Sequence, residues 1–292
     1  MATPFDREGA LDLEGARRLA GYLVEHGSDG LVVTGSTGES PTLADDERLE
    51  VCRAVVEAVT VPVIVGSTSN DTAHSIELTA AAEKAGAAGI LAVTPYYNRP
   101  SQAGLFAHFQ AIANATSLPV VLYDIPVRTG RKIASATILR LAREVPNIVA
   151  LKDAAGDPAA TAQVLAAAPA GFCCYSGDDA LTLPLLAVGA VGLIGVATHW
   201  AGPEIRAMID AFFAGDLSTA LAYHTALLES FSFETGEDAP NPQPLKAMLA
   251  RMGLPGGECR LPLGPAPEAV AVRAAEVLAK LGEFRARGVG GG

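Results

Sequence analysis

The sequence predicts an α/β fold, a closed (β/α)8 TIM barrel with a C-terminal helical extension. Three observations carry that prediction. Short runs rich in Val, Ile and Leu alternate with Ala-rich amphipathic stretches over the first two thirds of the chain, the pattern of parallel strands buried by returning helices. A length of 292 residues suits one such barrel, for which about 250 is typical, with helices to spare. The turn Gly35-Ser36-Thr37-Gly38 lacks the G-x-G-x-x-G spacing that an open dinucleotide-binding sheet requires.

The elements follow in order. Leu11 to His26 is amphipathic and leads into the β-branched run Gly30 to Thr34. Further strands are expected at Val61 to Ser67, Ala88 to Thr94, Leu118 to Ile125, Asn147 to Ala154, Gly171 to Ser176 and Val191 to Ala197. A first strand near Thr3 completes eight. Between them lie helical stretches such as Asp45 to Val59, Thr72 to Ala85, Ala103 to Ala115 and Ser135 to Arg143. After the last strand the pattern is purely helical, over Pro203 to Phe212, Leu217 to Phe231, Pro244 to Met252 and Pro267 to Leu281. This divides the chain into a barrel bearing the active site (1–213), a helical cap (214–285) and a disordered tail (286–292).

The totals narrow the function classes. A formal charge of −11 repels phosphate backbones and anionic lipid, so neither nucleic acid nor a membrane surface is an expected partner. The apolar run Leu183 to Ala197 is interrupted by Pro184, Gly189, Gly192 and Gly195, and falls short of a membrane span. Cys52, Cys173, Cys174 and Cys259 show neither zinc spacing nor a disulfide framework, and the N-terminus has no signal-peptide core. A cytoplasmic location is expected. The five histidines form no metal spacing, so neither metal nor redox cofactor is implied.

Chemistry concentrates at Ile148-Val149-Ala150-Leu151-Lys152-Asp153-Ala154. The two-residue period puts Ile148, Ala150 and Lys152 on one face. An amine held there among hydrocarbon would lose ammonium character and attack carbonyls. The alternative is a lysine that snorkels to water or pairs with Asp153. Other strand ends, where barrel sites gather, add reactive groups. Ser36 and Thr37 offer hydroxyls and backbone N–H groups suited to a carboxylate, or form an ordinary Gly-rich turn. Tyr123 can pass a proton or serve as an amphipathic plug. Arg128 offers a planar fork to a carboxylate or makes a surface ion pair. A lysine nucleophile, hydroxyl relays and a carboxylate-binding cation together suggest Schiff-base chemistry on a keto acid.

Five segments stand in a familiar order: Gly35-Ser36-Thr37-Gly38-Glu39-Ser40, Thr94-Pro95-Tyr96-Tyr97-Asn98-Arg99-Pro100, Tyr123-Asp124-Ile125-Pro126-Val127-Arg128-Thr129-Gly130, Leu151-Lys152-Asp153-Ala154 and Ser176-Gly177-Asp178-Asp179. In order and spacing the chain resembles the dihydrodipicolinate synthase and N-acetylneuraminate lyase family over nearly its whole length, including Pro240 to Lys246. The resemblance implies that Lys152 forms an iminium with pyruvate while Ser36 and Thr37 hold its carboxylate. Ser36, Tyr123 and Tyr97 would form a proton relay, with Tyr97 contributed across a tight dimer interface of a homotetramer. Gly177 and Ile194 would line the site through their main chain. Members of the family that use L-aspartate 4-semialdehyde typically carry an Arg in this Tyr-x-x-Pro-x-Arg pattern, so by resemblance Arg128 would bind that second substrate, the product being 4-hydroxy-tetrahydrodipicolinate for lysine and diaminopimelate synthesis. The alternatives are a lyase acting on N-acetylneuraminate or a 2-keto-3-deoxy sugar acid, and a non-catalytic keto-acid-binding paralogue.

The chain also departs from the family pattern. Ser36 replaces a usual Thr, keeping the hydroxyl with a less fixed rotamer. Gly195 and His199 replace residues that are commonly small-polar and Asn. Asp45, Arg48 and His74 stand where lysine-regulated relatives carry His and Glu, although Ser40, Asn70 and Tyr96 remain, so lysine inhibition is expected to be weak or absent. The first strand begins late against the family pattern, so the natural start is expected upstream of Met1.

Overall fold

The computed structural model describes residues 1–288, which group into two compact units: Met1–Val61 with the segment from Val196 onward, and Pro62–Gly195. In the first unit, Asp12 opens helix α1 (Leu13–Glu25) by accepting the Gly15 amide at 2.7 Å, which satisfies one of the N–H groups a helix start leaves unpaired. Strand β1 (Leu31–Val33) and helix α2 (Asp45–Ala58) follow.

The second unit is a run of βα repeats. It comprises β2 (Val63–Gly66), α3 (Thr72–Lys84), β3 (Gly89–Val93), α4 (Gln102–Ala113), β4 (Val120–Asp124), α5 (Pro126–Thr129), α6 (Ser135–Glu144), β5 (Ile148–Asp153), α7 (Pro158–Ala167), β6 (Cys173–Ser176), α8 (Thr182–Ala187) and β7 (Gly192–Leu193). Strands β2 to β7 pair in chain order and all in parallel. Asp71, Ser101 and Asp157 cap α3, α4 and α7 through their side-chain oxygens. Leu105, Phe109 and Ile112 bury one face of α4 completely, each side chain contributing about 1.5–3 kcal/mol. Ile90, Leu122, Leu151 and Cys174 are equally buried on the strands.

Helices α9 (Thr198–Phe213), α10 (Leu217–Phe233), α11 (Gln243–Arg251) and α12 (Glu268–Arg287) complete the first unit. Pro203 lies inside α9, and the backbone breaks from helical geometry at Ala201, where the ring removes a donor and crowds the preceding turn. The alternation of parallel strands with helices is that of a TIM-barrel α/β fold with C-terminal helices, the class expected. None of the described helices is long and apolar enough to cross a membrane.

Two expectations are corrected in detail. The strand expected near Thr3 does not form, and the described residues contain seven strands, with Phe5 making an isolated antiparallel bridge to Leu11. Ladder groups there are otherwise engaged: the Ala2 N–H donates to His199 Nε2 at 3.2 Å, and Pro4 has no N–H. The tail expected from residue 286 is helical as far as Arg287; residues 289–292 lie outside the described residues.

His199 carries a pH consequence. It is fully buried, with Nδ1 2.7 Å from the Val196 carbonyl and Nε2 accepting from Ala2. Burial, and secondarily the N-terminal ammonium, hold its pKa near 3, against an ordinary 6.5. Between those values the unfolded chain binds the extra proton, so folding stability falls as pH drops through this window, by at most ~1.4 kcal/mol per pH unit. Denaturant unfolding at pH 7 and pH 4.5 should therefore show the wild type losing more stability than His199→Asn. Parallel losses would contradict this assignment.

Candidate active site

Strands β4 and β5 run side by side with Tyr123 opposite Lys152 and Asp124 opposite Asp153. Residues in register share a face, so the phenol and the amine lie on one side of the sheet and the two carboxylates on the other. The Lys152 Nζ sits 4.3 Å from the centre of the Tyr123 ring. Lys152 is half-buried at the penultimate position of its strand, between the hydrocarbon setting and the water-reaching alternative. On the next strand the chain turns at Gly177, whose amide donates to the Asp153 carbonyl at 2.7 Å. A Cβ at Gly177 would come within 3.0 Å of Lys152 Cγ and Cε. Glycine is what lets the main chain pass against the lysine stem. The Ile194 amide donates to the Ser176 carbonyl at 2.9 Å, continuing the same row of strand ends.

The carboxylates behind this pair hold the loops that follow. Asp124 accepts the Ile133 amide at 3.1 Å and lies 3.7 Å from the Lys132 ammonium. Burial nevertheless pushes its carboxyl up to about 6. Asp153 accepts the Ala155 amide at 2.8 Å and the Thr161 hydroxyl.

Arg128 stands on α5, the short helix directly after β4. Pro126 starts it, the Arg128 and Thr129 amides return to the Ile125 carbonyl at 3.0 Å, and Gly130 closes it in a left-handed conformation. The guanidinium is exposed and held five residues beyond Tyr123. Tyr97 is 90% exposed, with φ at +72°. Its loop is fixed by Asn98 Nδ2 donating to the Asn70 carbonyl (2.8 Å) and Arg99 Nε donating to that of Gly130 (2.9 Å). A left-handed tyrosine held this firmly is of the kind found at functional sites.

Ser36 and Thr37 belong to the first unit, on the turn after β1. Amides of Gly38 and Ser40 return to the Gly35 carbonyl, and that of Glu39 to Ser36. Both hydroxyl residues are half-exposed, while Glu39 is buried with φ at +56°. Glu39 forms a buried ion pair with Lys246 at 2.6 Å and accepts the Arg260 amide at 2.9 Å. Arg260 in turn grips Glu47 with both terminal nitrogens, at 2.7 and 2.6 Å. Asn241 Nδ2 donates to Thr37 Oγ1 at 3.0 Å.

Sequence reasoning missed Tyr175, which pairs in register with Lys152 on β6 and packs its ring over Gly192. Burial raises its phenol above the ordinary value. Only the strand register identifies it, since its position one residue before Ser176 has no distinguishing spacing. Gly195 also gains a reason: a Cβ there would fall 2.5 Å from the Asp179 carboxylate.

A model of the dihydrodipicolinate synthetase family matches residues 1–280. The chain is 54% identical over 267 residues to 4-hydroxy-tetrahydrodipicolinate synthase of Moorella thermoacetica, covering 90% of each chain. It is 53% identical over 285 residues to the protein of the same name from Acidothermus cellulolyticus, covering 97% of this chain and 91% of that one. The crystal structure of DHDPS from Cyanidioschyzon merolae with lysine bound is similar at a TM-score of 0.94 and 42% identity, covering 97% of this chain and 96% of that one.

Proposed function

The chain belongs to the dihydrodipicolinate synthetase family, and we propose that it works as a 4-hydroxy-tetrahydrodipicolinate synthase. This is a Schiff-base lyase that condenses pyruvate with L-aspartate 4-semialdehyde in lysine and diaminopimelate synthesis. The observation that carries the reading is the lysine–tyrosine pair in register on β4 and β5, with Gly177 cleared for the lysine stem, in a chain half identical to synthases of that name.

The chemistry needs no cofactor. The Lys152 nitrogen adds to C2 of pyruvate, and loss of water leaves an iminium. That cation acidifies C3, whose proton departs to give an enamine. The enamine carbon attacks the aldehyde of the second substrate, and the resulting alkoxide takes a proton to become the 4-hydroxyl. The substrate's own amine then adds at C2, closing the ring and expelling Lys152. By motif match, we assign the pyruvate carboxylate to Ser36 and Thr37, and the proton path to Ser36, Tyr123 and Tyr97. Arg128 takes the semialdehyde carboxylate, while Gly177 and Ile194 line the site through their main chain.

Initial rates with pyruvate plus aspartate semialdehyde, beside pyruvate plus N-acetylmannosamine and pyruvate plus glyceraldehyde, test the substrate assignment. The semialdehyde should dominate. A faster sugar aldehyde would overturn it, and no borohydride-trapped pyruvate on Lys152 would overturn the Schiff-base reading itself.

We further infer a cytoplasmic homotetramer built from tight dimers, with each Tyr97 entering the neighbouring subunit's site. The exposed, rigidly held phenol supports this reading, and light scattering of the purified protein tests it. Lysine inhibition should be weak or absent. His74 stands where regulated relatives have a carboxylate, removing one partner for the lysine ammonium, and Arg48 donates to the Ser40 carbonyl at 2.7 Å. Half-inhibition at submillimolar lysine would refute that expectation.

A further inference from the structure

A carboxylate is an acceptor-only group, so whatever holds it must present donors. A threonine hydroxyl has one hydrogen and two lone pairs, and it can equally turn its hydrogen away from the ligand. At Thr37 that freedom is restricted. Asn241 Nδ2 donates to Thr37 Oγ1 at 3.0 Å, filling one acceptor site and leaving the O–H to donate elsewhere. Thr37 is half-exposed and Asn241 is buried, so the amide lies behind the hydroxyl. Five residues later in the same segment, Lys246 holds Glu39 at 2.6 Å, both side chains being almost wholly buried. Lys246 also donates to the Glu258 carbonyl at 3.1 Å and lies 4.1 Å from the centre of the Phe5 ring. Asn241, just before α11, and Lys246, within it, thus tie the Gly35–Ser40 turn at two points, one on each side of Gly38.

We infer that Asn241 is a positioning residue for the keto-acid carboxylate, fixing the Thr37 hydroxyl as a donor, while Lys246 fixes the turn that carries it. The inference rests on the reading of Ser36 and Thr37 as the pyruvate carboxylate site. It gives the helices beyond the barrel a part in substrate binding and makes the identity of the amide matter as well as its size. Asparagine supplies an N–H to Thr37, whereas aspartate, of the same shape, can only accept. With aspartate in place the threonine hydrogen would turn inward to the new carboxylate, and a negative charge would stand behind the anion site.

The test is borohydride trapping of pyruvate on the full-length protein as a function of pyruvate concentration, with steady-state KM values for both substrates, in Asn241→Asp, Asn241→Ala and Thr37→Val. Thermal melts establish that each variant is folded. N241D should raise the pyruvate concentration for half-trapping by about tenfold or more, the usual worth of a hydrogen bond to a charged group, and N241A by less. The semialdehyde KM should change little. In a T37V background N241A should add nothing, because no hydroxyl remains to direct. A full additional effect in that background, equal rises in both KM values, or unchanged trapping in a folded N241D would overturn the positioning role. If wild-type protein traps no pyruvate at any concentration, it is the assignment of the site that fails, and the inference falls with it.

Discussion

Lys152→Met should abolish turnover, lowering kcat/KM by about 10⁴-fold or more and eliminating the pyruvate adduct trapped by borohydride. Methionine retains an unbranched stem like the one that runs past Gly177, so the fold and pyruvate's carboxylate contacts should survive. What disappears is the nitrogen assigned to the covalent intermediate. Lys152→Arg is equally informative: it keeps a cation near the Tyr123 ring but supplies no nucleophile. Tyr123→Phe provides the contrast. It preserves the ring and loses the phenolic proton, so the adduct should still be trapped while turnover falls by about 10²-fold or more. Substantial turnover in Lys152→Met would rule out Schiff-base chemistry at this residue.

Arg128→Ala should separate the two substrates. Trapping of pyruvate on Lys152 should be unchanged, while kcat/KM for aspartate semialdehyde falls by about 10²- to 10³-fold, as expected for loss of a forked, charge-assisted contact to a carboxylate. Arg128→Lys should recover little, since an ammonium cannot reproduce the planar fork. Structure favours a clean result. Helix α5 is fixed by Pro126, by amide bonds back to Ile125, and by the Thr129 hydroxyl donating to the Ile125 carbonyl at 3.1 Å. Alanine at this position keeps the amide bond to the Ile125 carbonyl. Normal kinetics in Arg128→Ala would withdraw the residue from substrate recognition and reopen the choice of acceptor.

Much of this was legible in the sequence because parallel strands buried on both faces write continuous apolar runs, and the reactive residues follow directly at their ends. Lys152, Tyr123 and Arg128 are found that way. The reason for Gly177 was not legible, since the lysine stem that excludes a Cβ comes from a different strand. Tyr175 and the Asp124–Asp153 pair depend on strand register, which local periodicity does not encode. The missing strand near Thr3 reflects competition: Ala2 gives its amide to a histidine ring almost two hundred residues away, a demand no local pattern announces.

The bonds that fasten the Gly35–Ser40 turn also bear on how the protein comes to life. Asn241 reaches Thr37 across 204 residues of sequence, the Arg260 amide reaches Glu39 across 221, and the Arg260 side chain reaches Glu47 across 213. Contacts of such separation form late, after shorter loops have closed. During synthesis the paired strands bearing Tyr123 and Lys152 leave the ribosome long before Asn241 and Arg260 do. A nascent chain therefore holds the lysine assigned as nucleophile before it can order the turn assigned to pyruvate. On that assignment competence arrives only as translation nears its end, and a chain cut short before Asn241 carries Lys152 without those anchors.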